Sequence, residues 1–247
     1  MTAIITGGAG GLGIATAKQL AARGIDVGIL DIDAGRSEQV AAELAAEFGV
    51  SAAGAAGDLA EPDQLVNAWQ RIEDALGPVD VLVNAAGTFR PNTALTISPE
   101  DWEFALRTNL TGPFYACQHA LRLWVERGTA GSIVNVSSTA ALGSGFHEAT
   151  DYGAAKAGLI GLTTHLAVKF GGYGIRVNSI LPHSFRSPMN AARLEDPAEV
   201  AKTVARTPLN RVAEVEEMAS AIVYLAYDAS YVSGVALRVD GGLLSTM

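Results

Sequence analysis

The chain of 247 residues predicts a single α/β domain, a doubly wound parallel sheet with helices on both faces. Three observations predict it. Short apolar runs alternate with longer helical patterns from one end to the other. Those runs are apolar on both faces, as strands covered from both sides must be. No linker, low-complexity stretch or internal repeat divides residues 1–247, and one α/β domain of this length is common. With 49% hydrophobic against 17% charged residues, the chain holds enough apolar material for a large core.

Taken in order, strands are expected at Thr2–Thr6, Val27–Leu30, Val79–Val83, Ser132–Ser137, Ile175–Leu181 and Ala236–Asp240. A further strand near Ser51–Ala56 is Gly/Ala-rich and reads weakly. Helices are expected near Gly11–Arg23, Arg36–Phe48, Pro62–Leu76, Pro99–Glu126, Tyr152–Phe170 and Val215–Asp228. Ser98-Pro99-Glu100-Asp101 supplies a cap, a proline at the first helical position and acids in the first turn. From Tyr152 onward, Ala155, Leu159, Leu162, Leu166 and Phe170 form one apolar stripe at helical spacing.

Charge and cysteine usage exclude several function classes. Seventeen basic against 26 acidic residues give a net charge of −9, and no basic patch suited to nucleic acid or a lipid surface is visible. A lone cysteine, Cys117, cannot form an intramolecular disulfide and fits a reducing compartment. The four histidines (His119, His147, His165 and His183) lack metal-site spacing. No apolar stretch is long enough to span a membrane and no leader is evident, so the expectation is a cytoplasmic, metal-independent protein.

Two motifs carry chemistry. Gly7, Gly8, Gly10, Gly11 and Gly13 lie between the first strand and first helix. There glycine lets the backbone approach a pyrophosphate held on a helix N-terminus; taken alone, the loop could be only a flexible turn. Asp31, 18 residues after Gly13, is placed to accept hydrogen bonds from a ribose, while Asp31 or Asp33 could instead cap the next helix. Arg36 is the nearest cation for a 2′-phosphate. The second motif, Tyr152 and Lys156, sits at i and i+4 on one helix face. A cation beside a phenol favours phenolate and suits proton transfer, although such a pair is often only solvated.

Together with Asn84-Ala85-Ala86-Gly87 after a strand, Asn109 within a helix and Ser137-Ser138 after another strand, these motifs resemble the short-chain dehydrogenase/reductase family over the whole length. The resemblance implies a Rossmann-like fold and an NAD-dependent oxidoreductase that interconverts a secondary alcohol and a ketone. It implies Tyr152 as the proton-transfer group, Ser138 on the same substrate oxygen, Lys156 on the nicotinamide ribose and lowering the tyrosine's pKa, and Asn109 holding a relay water. Gly7, Gly10, Gly11, Leu12, Gly13, Asp31, Asp58, Leu59, Asn84, Ala85, Gly87, Pro182, Phe185 and Ser187, with Tyr152 and Lys156, would line the cofactor. Asn84 and Asn109 could equally hold backbone together. A homotetramer is implied, built on Pro99–Glu126, Tyr152–Phe170 and Val235–Leu244.

The chain departs from the family pattern at several places. Ala85 replaces a second asparagine, Ser138 and Tyr152 stand 14 apart, one more than is common, His183 replaces a glycine, and Ser187 stands for a threonine. His147 and Glu148 lie in the segment before Tyr152. Alternatives are a 3-oxoacyl-carrier-protein reductase, a non-catalytic dinucleotide-binding protein, and the extended sugar-nucleotide relatives, which the length disfavours. The segment Ser187–Arg211, expected to cover the substrate, is the least readable.

Overall fold

A computed structural model describes residues 1–143 and 150–245; His147 and Glu148 lie outside them. Seven parallel strands form one sheet: β1 (Thr2–Thr6), β2 (Asp26–Asp31), β3 (Ala52–Ala56), β4 (Val81–Asn84), β5 (Gly131–Val136), β6 (Ile175–Pro182) and β7 (Ala236–Val239). Their order is β3-β2-β1-β4-β5-β6-β7. The chain therefore winds outward in both directions from β1, and a cleft opens between the carboxyl ends of β1 and β4, where such sheets bind ligands. Thr6 lies opposite Leu30 on one side and Asn84 on the other.

Helices cover both faces: α1 (Gly11–Ala21), α2 (Ala34–Phe48), α3 (Pro62–Leu76), α4 (Pro99–Leu106), α5 (Gly112–Arg127), α6 (Thr150–Phe170), the short α7 (Ala191–Leu194), α8 (Pro197–Arg206) and α9 (Val215–Val223). Alternate residues of each strand feed two cores. Ile5, Val27, Ile29 and Val83 pack with Leu20, Leu44 and Ile222 on one face. Ile4, Leu30, Leu82 and Ile133 pack with Trp69, Ile72 and Trp124 on the other. Full burial of each such side chain contributes roughly 1.5–3 kcal/mol before conformational entropy is subtracted.

Three local outcomes depart from the pattern reading, while the weakly read β3 forms where it was expected. β4 begins at Val81, because Val79 is held by side chains: its N–H donates to Glu73 Oε1 at 3.1 Å and its carbonyl accepts from Trp124 Nε1 at 2.6 Å. β3 forms from small residues because α2 lies directly on it. A Cβ on Gly54 would stand 2.4 Å from the Ser37 carbonyl carbon. The expected helix 99–126 is interrupted by a π-helical turn, Arg107–Thr111, between α4 and α5. Finally, α7 and α8 fill part of the segment after β6. The Ser98 cap is as expected, its hydroxyl accepting from the Asp101 N–H at 3.0 Å.

Candidate active site

The glycine loop is shaped by close backbone approach. Gly7 has φ +64°, and a Cβ there would lie 2.5 Å from Ala86 Cα in the segment after β4. At Gly13 a Cβ would lie 2.3 Å from the Gly7 carbonyl oxygen and 2.6 Å from Gly8 Cα. The turn is closed by the Gly10 N–H donating to the Gly7 carbonyl at 3.1 Å. Gly10 caps α1 without any side-chain acceptor, and the first turn contains no acid. The first N–H groups of α1, including those of Gly11, Leu12 and Gly13, are thus left for an anion at the positive end of the helix. This cradle, which a Cβ would fill, fits a dinucleotide pyrophosphate. Ser187 and Pro188 lie over it: a Cβ on Gly11 would approach Pro188 Cδ at 2.6 Å.

Asp31 closes the loop from the adjacent strand. Its Oδ2 accepts from the Ala9 N–H at 3.1 Å and its Oδ1 from the Ile32 N–H at 2.8 Å. Asp33, not Asp31, caps α2, accepting from the Arg36 N–H at 3.0 Å. The Arg36 guanidinium is turned along α2 to Glu43, 3.5 Å away. Asp58 accepts from the Ala60 N–H at 2.9 Å, and Leu59 beside it is buried in the second core. Ala85 continues from β4, its N–H donating to the Thr6 carbonyl at 3.1 Å.

Beyond β4, Gly87 borders the site. A Cβ there would stand 2.9 Å from Asn109 Oδ1 and 3.3 Å from Lys156 Nζ. Asn109 projects from the π-helical turn and is fully buried. Its oxygen accepts from the Thr88 N–H at 3.1 Å, and its amide donates to the Thr88 and Ala105 carbonyls at 3.0 Å each. A π turn leaves a carbonyl without its usual partner; here an inward asparagine bonds Ala105 and the loop after β4 together. Asn84, by contrast, directs its amide into the sheet, toward Asn135 Oδ1 at 2.9 Å and Cys117 Sγ at 3.2 Å. Cys117 is fully buried and its thiol is pushed up to about 12 by burial, an inert environment.

Ser138, Tyr152 and Lys156 converge at the end of β5. Lys156 is buried and donates to the Val136 carbonyl at 2.8 Å, its ammonium 5.5 Å from the Tyr152 ring centroid. Burial lowers it to about 8. Burial also pushes the Tyr152 phenol up to about 12, while the Ser138 hydroxyl bonded to it pulls the other way. This direction is opposite to the expected lowering by Lys156: the ammonium is aimed at a backbone carbonyl, and desolvation of the phenol dominates. Ser138 accepts from the Ala140 N–H at 3.1 Å. Ser137 is structural, donating to the Lys156 carbonyl at 2.8 Å.

The loop after β6 completes the site. Pro182 is its last strand residue, and Phe185 bridges to Ala213. His183 Nδ1 stands 3.5 Å from the Thr139 hydroxyl, beside Ser138. Burial first, then Arg206 and Arg193, lower His183 to about 4, so its imidazole is neutral. Sequence reading missed Phe89, whose ring packs edge-on against Tyr152 with centroids 5.6 Å apart, and Asn92 and Asp151 nearby. Loop residues of this kind carry no periodic signal. Among the described residues no helix is long and apolar enough to cross a membrane, and no cluster of three or more His, Cys, Asp or Glu could hold a metal ion.

The family model described as enoyl-(acyl carrier protein) reductase matches residues 7–244. The chain belongs to the short-chain dehydrogenase/reductase family. It is an oxidoreductase of that family, whose members bind a nicotinamide dinucleotide. An L-rhamnose 1-dehydrogenase (NAD(P)+) of Azotobacter vinelandii is 37% identical, covering 98% of this chain and 96% of its own. A 3-oxoacyl-[acyl-carrier-protein] reductase of Aquifex aeolicus is 34% identical, with 97% and 96% covered. The solved gluconate 5-dehydrogenase of Burkholderia cenocepacia, in complex with NADP and tartrate, superposes with TM-score 0.93 at 32% identity, covering 100% of this chain and 96% of that one.

Proposed function

We propose that this protein is an NAD-preferring dehydrogenase/reductase that interconverts a secondary alcohol and a ketone, with Tyr152 transferring the proton. The observation that carries the reading is the meeting of Gly87, Asn109 and Lys156 beside the Tyr152–Ser138 pair, at the carboxyl ends of β4 and β5. The bound dinucleotide would supply or accept the hydride. Gly7, Gly10, Gly11, Leu12 and Gly13 would hold its pyrophosphate, Asp31 its adenosine ribose, and Asp58 and Leu59 its adenine. Asn84, Ala85, Gly87, Pro182, Phe185 and Ser187 would border the nicotinamide half, Asn84 through the backbone it anchors.

In the reductive direction, the Tyr152 phenol donates its proton to the carbonyl oxygen as negative charge develops there, and in oxidation the phenolate takes it back. The Ser138 hydroxyl donates to the same oxygen while accepting from the Ala140 N–H. Lys156, beside the Tyr152 ring, would hold the nicotinamide ribose, and Asn109 would hold a water that returns the proton to solvent.

NAD is preferred because a carboxylate at Asp31 would face a 2′-phosphate, and Arg36 is engaged by Glu43. A cytoplasmic homotetramer is inferred, supported by the apolar Phe104, Phe114 and Val168 exposed on α4, α5 and α6; light scattering giving four chains per particle would support it and a monomer would sink it. A 3-oxoacyl-carrier-protein reductase is the second reading, favoured by the Aquifex relative but not by the net charge of −9, which disfavours an acidic carrier. The test is a panel of secondary alcohols, ketones and 3-oxoacyl thioesters with NAD and NADP, followed at the nicotinamide absorbance, in wild type and Tyr152→Phe. Tyr152→Phe is expected to lose at least ~100-fold in kcat and to keep its cofactor affinity. Retention of a tenth of wild-type kcat would refute the role of Tyr152.

A further inference from the structure

We propose that Asn92, through Asp151, is a positioning residue for Tyr152; this rests on the assignment of Tyr152 as the proton-transfer group. Asp151 lies in the first turn of α6 and is buried. Its Oδ1 accepts from the N–H of Tyr152 itself at 2.7 Å and from Asn92 Nδ2 at 2.8 Å. The same amide donates to the Arg90 carbonyl at 3.0 Å. One carboxylate oxygen thus ties the backbone of the catalytic tyrosine to the loop that follows β4.

That loop touches the site at two further points. Thr88 is bonded on both its N–H and its carbonyl to Asn109, and Phe89 packs against the Tyr152 ring. Asn92 is the point at which the loop grips the helix backbone, and not only the ring. Its amide orientation is fixed, because a flip would set its oxygen against the carboxylate. Its Oδ1 is buried with no partner among the described residues, so the side chain is held by its donor alone. A buried carboxylate needs donors of this kind. Without them Asp151 would turn toward water and release the first turn of α6, which carries Tyr152. A displacement of about 1 Å there matters for proton transfer far more than for binding.

The test makes the donor at position 92 depend on a proton. Asn92→Asp sets two carboxylates face to face, and both cannot stay ionised at that distance. Once protonated, the introduced carboxylic acid can donate its O–H to Asp151 in place of the amide. The substitution leaves untouched the charged groups on the elements packed against α6, Glu100, Asp101 and Glu103 of α4, Arg107 of the π-helical turn and Arg176 of β6, and Lys156 and Lys169 on α6 itself. Arg90 of the loop stays paired with Asp101.

Asn92→Asp is expected to lose at least tenfold in kcat at pH 8, with KM and cofactor Kd within twofold, and to recover as the pH falls and the pair takes up a proton. Wild type and Asn92→Ala should show no such recovery. Should Asn92→Asp fail to fold, Asn92→Ala replaces it, with the same split between kcat and Kd expected. Wild-type kcat in Asn92→Asp, absence of recovery as the pH falls, or a loss shared equally by Kd and melting temperature would each overturn the proposal. Tyr152→Phe assayed alongside separates the two failures. If it is inactive while Asn92→Asp is normal, only the positioning role falls; if it is active, the tyrosine assignment falls with it.

Discussion

Lys156 donates at 2.8 Å to the backbone carbonyl of Val136, so the last residue of a core strand fixes an ammonium that burial makes easier to deprotonate. Its folded pKa of about 8 lies below the ordinary lysine value of 10.5. The unfolded chain therefore binds more protons between pH 8 and 10.5, and stability should rise with pH across that window. Lys156→Met removes the desolvated charge. It should melt at or above wild type at pH 7, by at most about 3 kcal/mol, less about 1 kcal/mol for the lost hydrogen bond, while turnover falls at least ~100-fold. Calorimetry from pH 7 to 10 checks this: the rise should disappear in the variant, and a variant less stable than wild type at pH 7 would count against it.

The glycines of the loop should not be equally sensitive. Gly13→Ala forces a Cβ to within 2.3 Å of backbone, whereas at Gly10 the nearest atom is 3.3 Å away. Gly13→Ala should cost about 1–3 kcal/mol and weaken cofactor binding at least tenfold; Gly10→Ala should be mild in both. Thermal melts and fluorescence titration with NADH decide, and equal effects at the two sites would contradict the geometry.

Cofactor choice should follow Asp31 and, behind it, Glu43. A preference of about 100-fold for NAD corresponds to ~2.7 kcal/mol. Asp31→Asn should cut it to within about tenfold. Adding Glu43→Gln, which releases Arg36 from its 3.5 Å pairing, should shift it further toward NADP. Measuring kcat/KM for both cofactors tests this, and a wild type indifferent to the 2′-phosphate would remove the basis for it.

His183 introduces an acid sensitivity. Its folded pKa of about 4 lies below the ordinary histidine value of 6.5, so the unfolded chain binds the extra proton between those values and stability falls as pH drops through that window. Because the ring is only partly buried, the effect should be about 1 kcal/mol. His183→Asn should flatten the dependence of melting temperature on pH between 4 and 6.5, and an unchanged slope would argue that the imidazole is solvated.

Much of this was legible in the chain. Six strands and the glycine loop followed from apolar runs and punctuation, and Ser138, Tyr152 and Lys156 from motif spacing. What escaped was decided by tertiary contacts. β3 was expected but read only weakly, because its five small residues favour no strand by themselves and α2 pressing on them holds it. The π turn at Arg107–Thr111 depends on Asn109 finding Thr88, 21 residues away. Asn92 and Asp151 are separated by 59 residues, whereas α8 was legible in its Asp196 cap, Pro197, Glu199 and Arg206 and went unread. The i, i+4 spacing of Tyr152 and Lys156 gives proximity but says nothing of desolvation or of where the ammonium points.

A line of polar side chains crosses the sheet beneath the cleft. Thr6 donates to Asn84 Oδ1 at 3.3 Å, Asn84 to Asn135 Oδ1 at 2.9 Å, and Asn135 to Thr163 Oγ1 at 3.0 Å. Apolar side chains of similar size could pack there, but such contacts are non-directional and would let α6 slide along the sheet. Hydrogen bonds of fixed length do not. The chain of four acts as a ruler laid from the strand that ends in the glycine loop to the helix that bears Tyr152. Two reactive ends built from residues 146 positions apart in the sequence, one placing a cofactor and one a proton, are thereby held at a single spacing whatever substrate lies between them.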